Sequence, residues 1–523
     1  MKMSFQTSPA LIVLVVHHIA VFDLNTCIFI SNALIKRNIF LLSPCIEYYL
    51  MFLTQDDMFA SPYLSGMQDS VIIKMSNAKE IADGEIGRWK MKRLKPFCIL
   101  VLFTCLVLFF NVCIESLASA SEKPIRIGAI YPFSGHSSST GQDIKTAIDL
   151  AADIVNGSYD IDLPLARKAG LSSHGNANIE ILYRDSRSDD LRGAAIVKDL
   201  ILQDKVIALL GCYNSTVTAA ASEQAEALKI PFLNPDSTAP ILTQRGLKWF
   251  FRTTPDDLMF AQNFFTFFSE LGGKMKIRIP KRLILVYENR LWGTSVARVE
   301  RKLALNFGYE IAADIPYDVR QMSFEEELNQ IKSALPGILL QSSYADDAVS
   351  FMKGYKARQI NPEAIVAMNA GFVDPSFLEK LGPDGNFILS REVWAPDIGS
   401  KKPLLKAVND LFFKRFGRNM NGTSARAFTG LIVLADAINR SRALTPAAIR
   451  DSLLATEMSG DNLIMPWDGV SFDPQTGQNR LGKGIIVQVQ DDSYRTVWPW
   501  DLSESAVIWP MPGWTSREVK KQK

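Results

Sequence analysis

Cysteine is scarce and poorly placed for structure. Of six in 523 residues, Cys27, Cys45, Cys98, Cys105 and Cys113 precede residue 120 and only Cys212 follows it. A chain starting beyond that point has no partner for Cys212, so it must rely on a hydrophobic core rather than an internal disulfide. Histidine is scarcer still, with only His136 and His174 in the same stretch. No HExxH or Cys/His cluster offers a metal site, and there is no Walker A loop, no GxGxxG after the first strand and no GxSxG elbow. Cys212 with His136 is the one conceivable nucleophile–base pair, and no motif stands behind it. These absences speak against an enzyme, and no cofactor or metal is expected. One-sided charge is missing too. Lys+Arg 57 against Asp+Glu 55 leaves a net charge of +2, with no basic stripe, so nucleic acid is not an expected partner.

What is present first is a processing signal far from residue 1. From Met91 the sequence runs MKRLKPFCILVLFTCLVLFFNVCIESLASASEK. Lys92, Arg93 and Lys95 form a basic n-region, Phe97–Phe110 an apolar core, and Ala118-Ser119-Ala120 fits the small-x-small cleavage rule. The reading is a signal peptide over 91–120, cleaved after Ala120. A transmembrane anchor over Phe97–Ile114 is the alternative, marginal in length for a bilayer. Signal peptides are read at a chain start. Met91 is therefore expected to be the true start and 1–90 an over-extended upstream segment, or else an N-terminal membrane segment built on Ala10–Phe22. Neither Cys105 nor Cys113 has a lipidation context, so a soluble periplasmic protein is expected.

From Ile125 onward, short apolar runs alternate with helical patterns. Strands are expected at Ile125–Tyr131, Ile179–Arg184, Val206–Leu210 and Ile230–Leu233, with helices at Gln142–Val155, Leu191–Leu202 and Val217–Leu228 between them. The pattern restarts with helix Leu258–Leu271 and strands Arg282–Tyr287, Glu310–Ile315, Gly337–Gln341 and Ala364–Met368. Helices near Pro403–Phe416, Ala425–Ser441 and Pro446–Ala455 follow, then β-like Gly484–Val489 and Tyr494–Trp500. The fold class is α/β, with two doubly wound parallel-sheet lobes, each large enough to fold alone.

Parallel sheets bind ligands at the carboxyl ends of their strands. Three such ends carry polar clusters: Pro132-Phe133-Ser134-Gly135, Tyr213-Asn214-Ser215-Thr216, and Asn234-Pro235-Asp236-Ser237-Thr238. Ser215 and Thr216 open a helix whose first amide N–H groups favour an anion. The plainer reading is that Ser215 merely caps that helix. The neighbouring Ser237-Thr238 pair shifts the balance toward an anion site.

The segments IRIGAIYPFSG (125–135), GCYNSTVTAAAS (211–222), IPFLNPDSTAPILTQRG (230–246), FFRTTPDD (250–257) and VYENRLWGTSVA (286–297) point to a family. The chain resembles the type I periplasmic solute-binding proteins of ABC importers, in particular the branched-chain amino-acid (Leu/Ile/Val) binding family, over nearly all of 123–513. The resemblance implies two lobes joined by three crossovers, near Thr254–Leu258, Ser390–Ala395 and Trp467–Ser471, that close on a ligand. Lobe one is then 123–254 with 396–466, lobe two 258–390 with 472–513, and 514–523 a polar tail. It implies that Ser215, Asp236 and Thr238 stand where the ligand's carboxylate and ammonium are held. Tyr213 and Asn214 line the side-chain pocket, and Trp292 and Tyr344 close from lobe two. A membrane ABC permease is the implied partner, and a monomer is expected. A sensor of the same fold is a rival reading.

One departure matters. Where the family carries a lobe-two glutamate for the α-ammonium, this chain has Ala370, in MNAGFVDP. A buried ammonium without a carboxylate is poorly compensated. Either Asp236 supplies that charge from lobe one, or the ligand is not an α-amino acid but an aromatic acid, an amide or another small solute. Asp236 as an ordinary turn residue remains the plain alternative.

Overall fold

In a computed structural model of the protein, residues 123–520 are described. The expectations for 1–90 and for the signal peptide at 91–120 lie outside the described residues. The chain opens with β1 (Ile125–Tyr131), α1 (Ser138–Asn156), β2 (Ile179–Asp185), α2 (Asp190–Leu202), β3 (Ala208–Gly211), α3 (Ser215–Leu228), β4 (Phe232–Asn234) and β5 (Phe250–Arg252). It crosses to α4 (Asp257–Met275), β6 (Arg282–Glu288), α5 (Leu291–Asn306), β7 (Glu310–Tyr317), α6 (Glu325–Ala334), β8 (Ile338–Ser342), α7 (Ala345–Ala357), β9 (Ala364–Ala367), α8 (Pro375–Leu381) and β10 (Leu389–Glu392). It returns through α9 (Pro403–Phe416), α10 (Gly422–Arg440), α11 (Pro446–Leu454) and the paired β11 (Glu457–Ser459) and β12 (Gly469–Ser471). It ends with β13 (Ile485–Gln490), β14 (Ser493–Trp498) and α12 (Trp514–Lys520).

The first sheet is parallel throughout, in the order β2-β1-β3-β4-β5. The second runs β14-β13-β10-β9-β8-β6-β7, and β6 to β10 are parallel. The two doubly wound lobes are as expected, with one qualification. β13 pairs antiparallel with β10 and β14 antiparallel with β13, so the second sheet is mixed at one edge. The cause is local: β13 and β14 are joined by two residues, Asp491 and Asp492, both at positive φ, the tight turn that builds a hairpin. A two-residue link cannot serve a parallel pair.

Two boundaries differ from expectation. The third passage does not fall at Trp467–Ser471, because Gly469–Ser471 is β12. The Asp473–Asn479 turn then lies along β5, with Arg252 N–H donating to Gly477 O and Asn479 N–H to Arg252 O, at 2.9 and 2.8 Å. The chain joins the second sheet only at β13. Nor is 514–523 a polar tail at its start. Trp514 is buried in the second lobe's core, and its indole N–H donates to Ile360 O at 2.8 Å. A large aromatic surface outweighs the polar residues that follow it.

Helix α10 carries the first lobe's core, and its residues 422–435 are all buried. A helix apolar nearly all round belongs inside a protein, and this one packs on α1 and β4. One charged residue, Arg426, interrupts that stretch.

Candidate functional site

Each sheet has a switch point where consecutive connections leave in opposite directions, and ligands bind beside such points. In the first sheet it lies between β1 and β3, in the second between β6 and β8. The residues singled out from sequence emerge there. Tyr213, Asn214 and Ser215 follow β3, Asp236 and Thr238 follow β4, Trp292 follows β6 and Tyr344 follows β8. Gly211 makes the turn out of β3 possible: it sits at φ +136, and a Cβ there would lie 2.5 Å from Ile130 O.

The structure brings the aromatics of the two lobes together. Tyr344 lies 5.9 Å from Tyr213 across the lobes, 5.0 Å from Trp292 and 6.2 Å from His136, centroid to centroid. Tyr213, Trp292 and Tyr344 are all buried. Asn214, also buried, is the N-cap residue of α3 but makes no capping hydrogen bond, and its Oδ1 has no partner among the described residues. Ser215 is buried and has no hydrogen-bond partner among the described residues. The first bond of α3 is Thr218 N–H to Asn214 O, 2.9 Å, so the three preceding amides are free of backbone partners. Thr216 is half-buried on the same turn. The plain capping role for Ser215 therefore has no hydrogen bond to support it.

The other hydroxyls are committed within the protein. Ser237 Oγ lies 2.6 Å from Thr218 Oγ1 and 2.9 Å from the carbonyls of both Cys212 and Tyr213. It ties the β3 and β4 loops together. Asp236 Oδ2 accepts from Tyr131 Oη at 3.1 Å, and Oδ1 lies 3.5 Å from Arg426 Nε. Burial pushes this carboxyl up to about 7, against the opposing pull of Arg426 and then Tyr131. Both oxygens thus face first-lobe partners. Thr238 Oγ1 accepts from Arg391 Nη2 at 3.4 Å, and Arg391 Nη2 lies 3.8 Å from Asp257 Oδ1. Burial holds Asp257 at about 6, and Arg391 pulls the other way.

Ala370 is buried, on a turn in which Asn369 and Ala370 both have positive φ. A Cβ on the next residue, Gly371, would fall 2.3 Å from the Tyr344 carbonyl carbon, so the loop is pressed against the base of that aromatic. The nearest carboxylate in the loop is Asp374. It caps α8 and reaches the first lobe: Oδ1 accepts from Ser139 Oγ at 2.9 Å, and Oδ2 from Thr140 Oγ1 at 2.5 Å.

Sequence reasoning missed Thr140, Asp374, Arg391 and Arg426. Arg426 had a signal, a charged residue inside an apolar helix. Arg391 sat in SREVW, read only as a crossover. Cys212 is fully buried and its thiol is pushed up by burial, the opposite of an activated nucleophile. Among the described residues no group of three potential metal ligands occurs. A groove of about 1010 Å³ lies elsewhere, bordered by Asn263, Lys402, Lys483 and Trp498 among others, and none of the expected site residues lines it.

Two α/β lobes meeting at the switch points of their sheets, with aromatics of one lobe laid over a helix start of the other, define a type I periplasmic binding protein. A family model described as periplasmic binding protein matches residues 124–493, and the chain belongs to that family. It is 24% identical over 392 residues to the Leu/Ile/Val-binding protein homolog 7 of Brucella abortus, covering 74% of this chain and 94% of that protein. In structure it resembles the leucine binding protein LivK of Thermotoga maritima, at TM-score 0.62 and 18% identity, covering 72% of this chain and 99% of that one. It also resembles LivJ of Streptococcus pneumoniae in complex with isoleucine, at TM-score 0.59 and 21% identity, covering 72% and 100%. A solute-binding protein from R. palustris in complex with benzoate gives TM-score 0.58 at 16% identity, covering 72% and 95%.

Proposed function

We propose that this protein is the exported solute-binding component of an ABC importer, working without chemistry of its own. It captures a small carboxylate-bearing solute between its lobes and presents the closed form to a membrane permease. Export follows the signal peptide at 91–120, and the working form is a monomer. The observation that carries the reading is the start of α3, where the Ser215 side chain and the first amides have no partner among the described residues and the Tyr213–Tyr344–Trp292 cluster covers the same corner. A helix N-terminus with an uncommitted hydroxyl is suited to a carboxylate.

The relatives named for leucine, isoleucine and valine favour an aliphatic amino acid, with Asp236 or another buried acid answering the ammonium. The benzoate-bound neighbour shows that the same fold also takes an acid without an ammonium. The test is a thermal-shift screen of the purified protein against aliphatic and aromatic amino acids, oxo acids, aromatic carboxylates and short amides. Ligand at about a hundred times its dissociation constant adds about 2.7 kcal/mol, a plain shift of the midpoint. A panel in which only neutral amides shift the midpoint would defeat the carboxylate reading.

A further inference from the structure

Two arginines lie buried where the lobes meet, and neither is fully used by the protein. Arg391 comes from β10 of the second lobe and Arg426 from α10 of the first, and they are 2% and 1% exposed. Beyond Thr238 and Asp257, the Arg391 side chain meets the face of Phe260, 4.0 Å from its guanidinium carbon to the ring centroid, and stands in the field of the buried Glu392 carboxylate. Its Nε and Nη1 have no acceptor among the described residues. Arg426 donates from Nη2 to Thr423 Oγ1 at 3.1 Å, and its Nε and Nη1 likewise have none. Buried guanidinium N–H groups are costly to leave unmade. Burial, and then the field of Arg426, draws Arg391 down to about 9, as expected for two cations facing one corner.

The carboxylates nearby are answered only in part: Asp374 is fully hydrogen-bonded, whereas Asp236 Oδ1, both oxygens of Asp257 and Glu392 Oε1 have no hydrogen-bond partner among the described residues. Asp374 accepts four hydrogen bonds, from Ser139, Thr140 and both Ser376 N–H and Oγ. Asp236 has Tyr131 and Arg426. Asp257 lacks a hydrogen bond at either oxygen but sits in the first turn of α4 beside Arg391. Glu392 accepts from Val393 N–H at 2.9 Å and is pressed against Gly422 at the start of α10. Excess acceptors thus meet excess donors only loosely, at 3.5 and 3.8 Å.

The family resemblance places Thr238, with Ser215 and Asp236, where the ligand's carboxylate and ammonium are held, and puts the ammonium's glutamate at position 370. In this chain Thr238 Oγ1 touches a guanidinium and position 370 is alanine. We propose that Arg391 supplies, from the protein, the positive charge that an amino acid would bring as its ammonium. The solute is then a small carboxylate whose adjoining carbon carries an oxygen or nothing: an oxo acid, a hydroxy acid or an unsubstituted acid. An ammonium placed there would stand against a buried cation, while a carbonyl or hydroxyl oxygen would accept from Nε or Nη1. This rests on the carboxylate reading given above.

The test is isothermal titration of the purified protein with matched pairs: leucine against its oxo-acid and hydroxy-acid counterparts, and phenylalanine against phenylpyruvate. Like charges juxtaposed in a buried site cost more than about tenfold in affinity, so the oxo or hydroxy acid should bind more tightly by at least that factor. Arg391→Gln should erase the preference, with far-UV circular dichroism unchanged. If that variant does not fold, Arg391→Lys, which keeps the charge, should keep the preference. An amino acid bound as well as its oxo-acid partner overturns this inference and leaves the carboxylate reading standing. A preference unaltered in Arg391→Gln, or lost in Arg391→Lys, also overturns it. If neither series nor the matching unsubstituted acids bind, this inference falls, while the carboxylate reading falls only if neutral amides alone shift the midpoint in the thermal-shift screen.

Discussion

Thr140 Oγ1 donates to Asp374 Oδ2 at 2.5 Å, joining the first turn of α1 in one lobe to the cap of α8 in the other. Ser139 Oγ adds a second bond to the same carboxylate at 2.9 Å. These contacts exist only when the lobes are together, and closure is favoured by whatever binds the closed state better. Asp374→Ala would also remove the α8 cap, so Thr140→Val is the cleaner variant. A buried hydrogen bond to a carboxylate contributes about 1.5–3 kcal/mol. Thr140→Val should therefore weaken binding of the solute found by thermal shift by about tenfold or more. Small-angle scattering should show a larger radius for the ligand-free variant. Identical radius and affinity would mean that closure does not depend on this bond.

Ser215 and Ser237 make a contrasting pair. Ser215 has no partner among the described residues, so Ser215→Ala should leave the unfolding midpoint within about 0.5 kcal/mol of wild type. Its effect should fall on the ligand, with affinity lower by about tenfold. Ser237 joins Thr218 to the Cys212 and Tyr213 carbonyls, so Ser237→Ala should cost about 1–3 kcal/mol of stability. Urea unfolding and titration of the two variants side by side test this. Equal stability losses would show that Ser215 serves the fold.

Asp236 sets a pH dependence whose sign follows from its burial. Its carboxyl stands at about 7 in the folded chain against 3.8 ordinarily, and Asp257 stands at about 6. Between about pH 4 and 7 the folded state therefore holds more protons than the unfolded one. Stability falls as pH rises through that window. Asp236→Asn fixes the neutral form. Its stability relative to wild type should improve from about pH 5 to about pH 8, read from denaturant midpoints at both. Parallel curves would mean that Asp236 is already ionised at the lower pH.

Most of the parallel strands were legible because each is a short apolar run bounded by helical periodicity, and the site rim because hydroxyls gathered at three strand ends; β10, with Ser390-Arg391-Glu392 in its four residues, lacks such a run and reads as a crossover. The first turn of α1 was not. Ser138-Ser139-Thr140-Gly141 shows no apolar period, since its hydroxyls are turned to Asp374, and a helix beginning at Gln142 was the natural reading. Strand β5 is three residues long and is held by Arg252 reaching the Ser237 and Ala239 carbonyls, contacts between distant loops that no local pattern announces. Asp236 illustrates the same limit within the site. Its residue type and place suggested a counter-ion for the ligand, but Arg426, distant in sequence on α10, already stands beside it.

The aromatic lid yields the last prediction. Trp292 is 4% exposed, tilted at 46° against Tyr344, and it lies in the first turn of α5, which packs on α3 of the other lobe. Its burial depends on contact between the lobes as well as on its own lobe's core, so it should report closure. Trp292→Phe keeps an aromatic face over the cleft and should retain most of the affinity, whereas Trp292→Ala opens a void beside Tyr344. Truncating a buried tryptophan costs about 3–5 kcal/mol, part of it in the lobe and part in the closed contact. If the lid works through closure, Trp292→Ala should lower affinity by about a hundredfold, mainly through faster release. Stopped-flow dissociation read on a bound aromatic solute separates the two shares. A variant destabilised in urea but with unchanged release would place Trp292 in the lobe core and not in the lid.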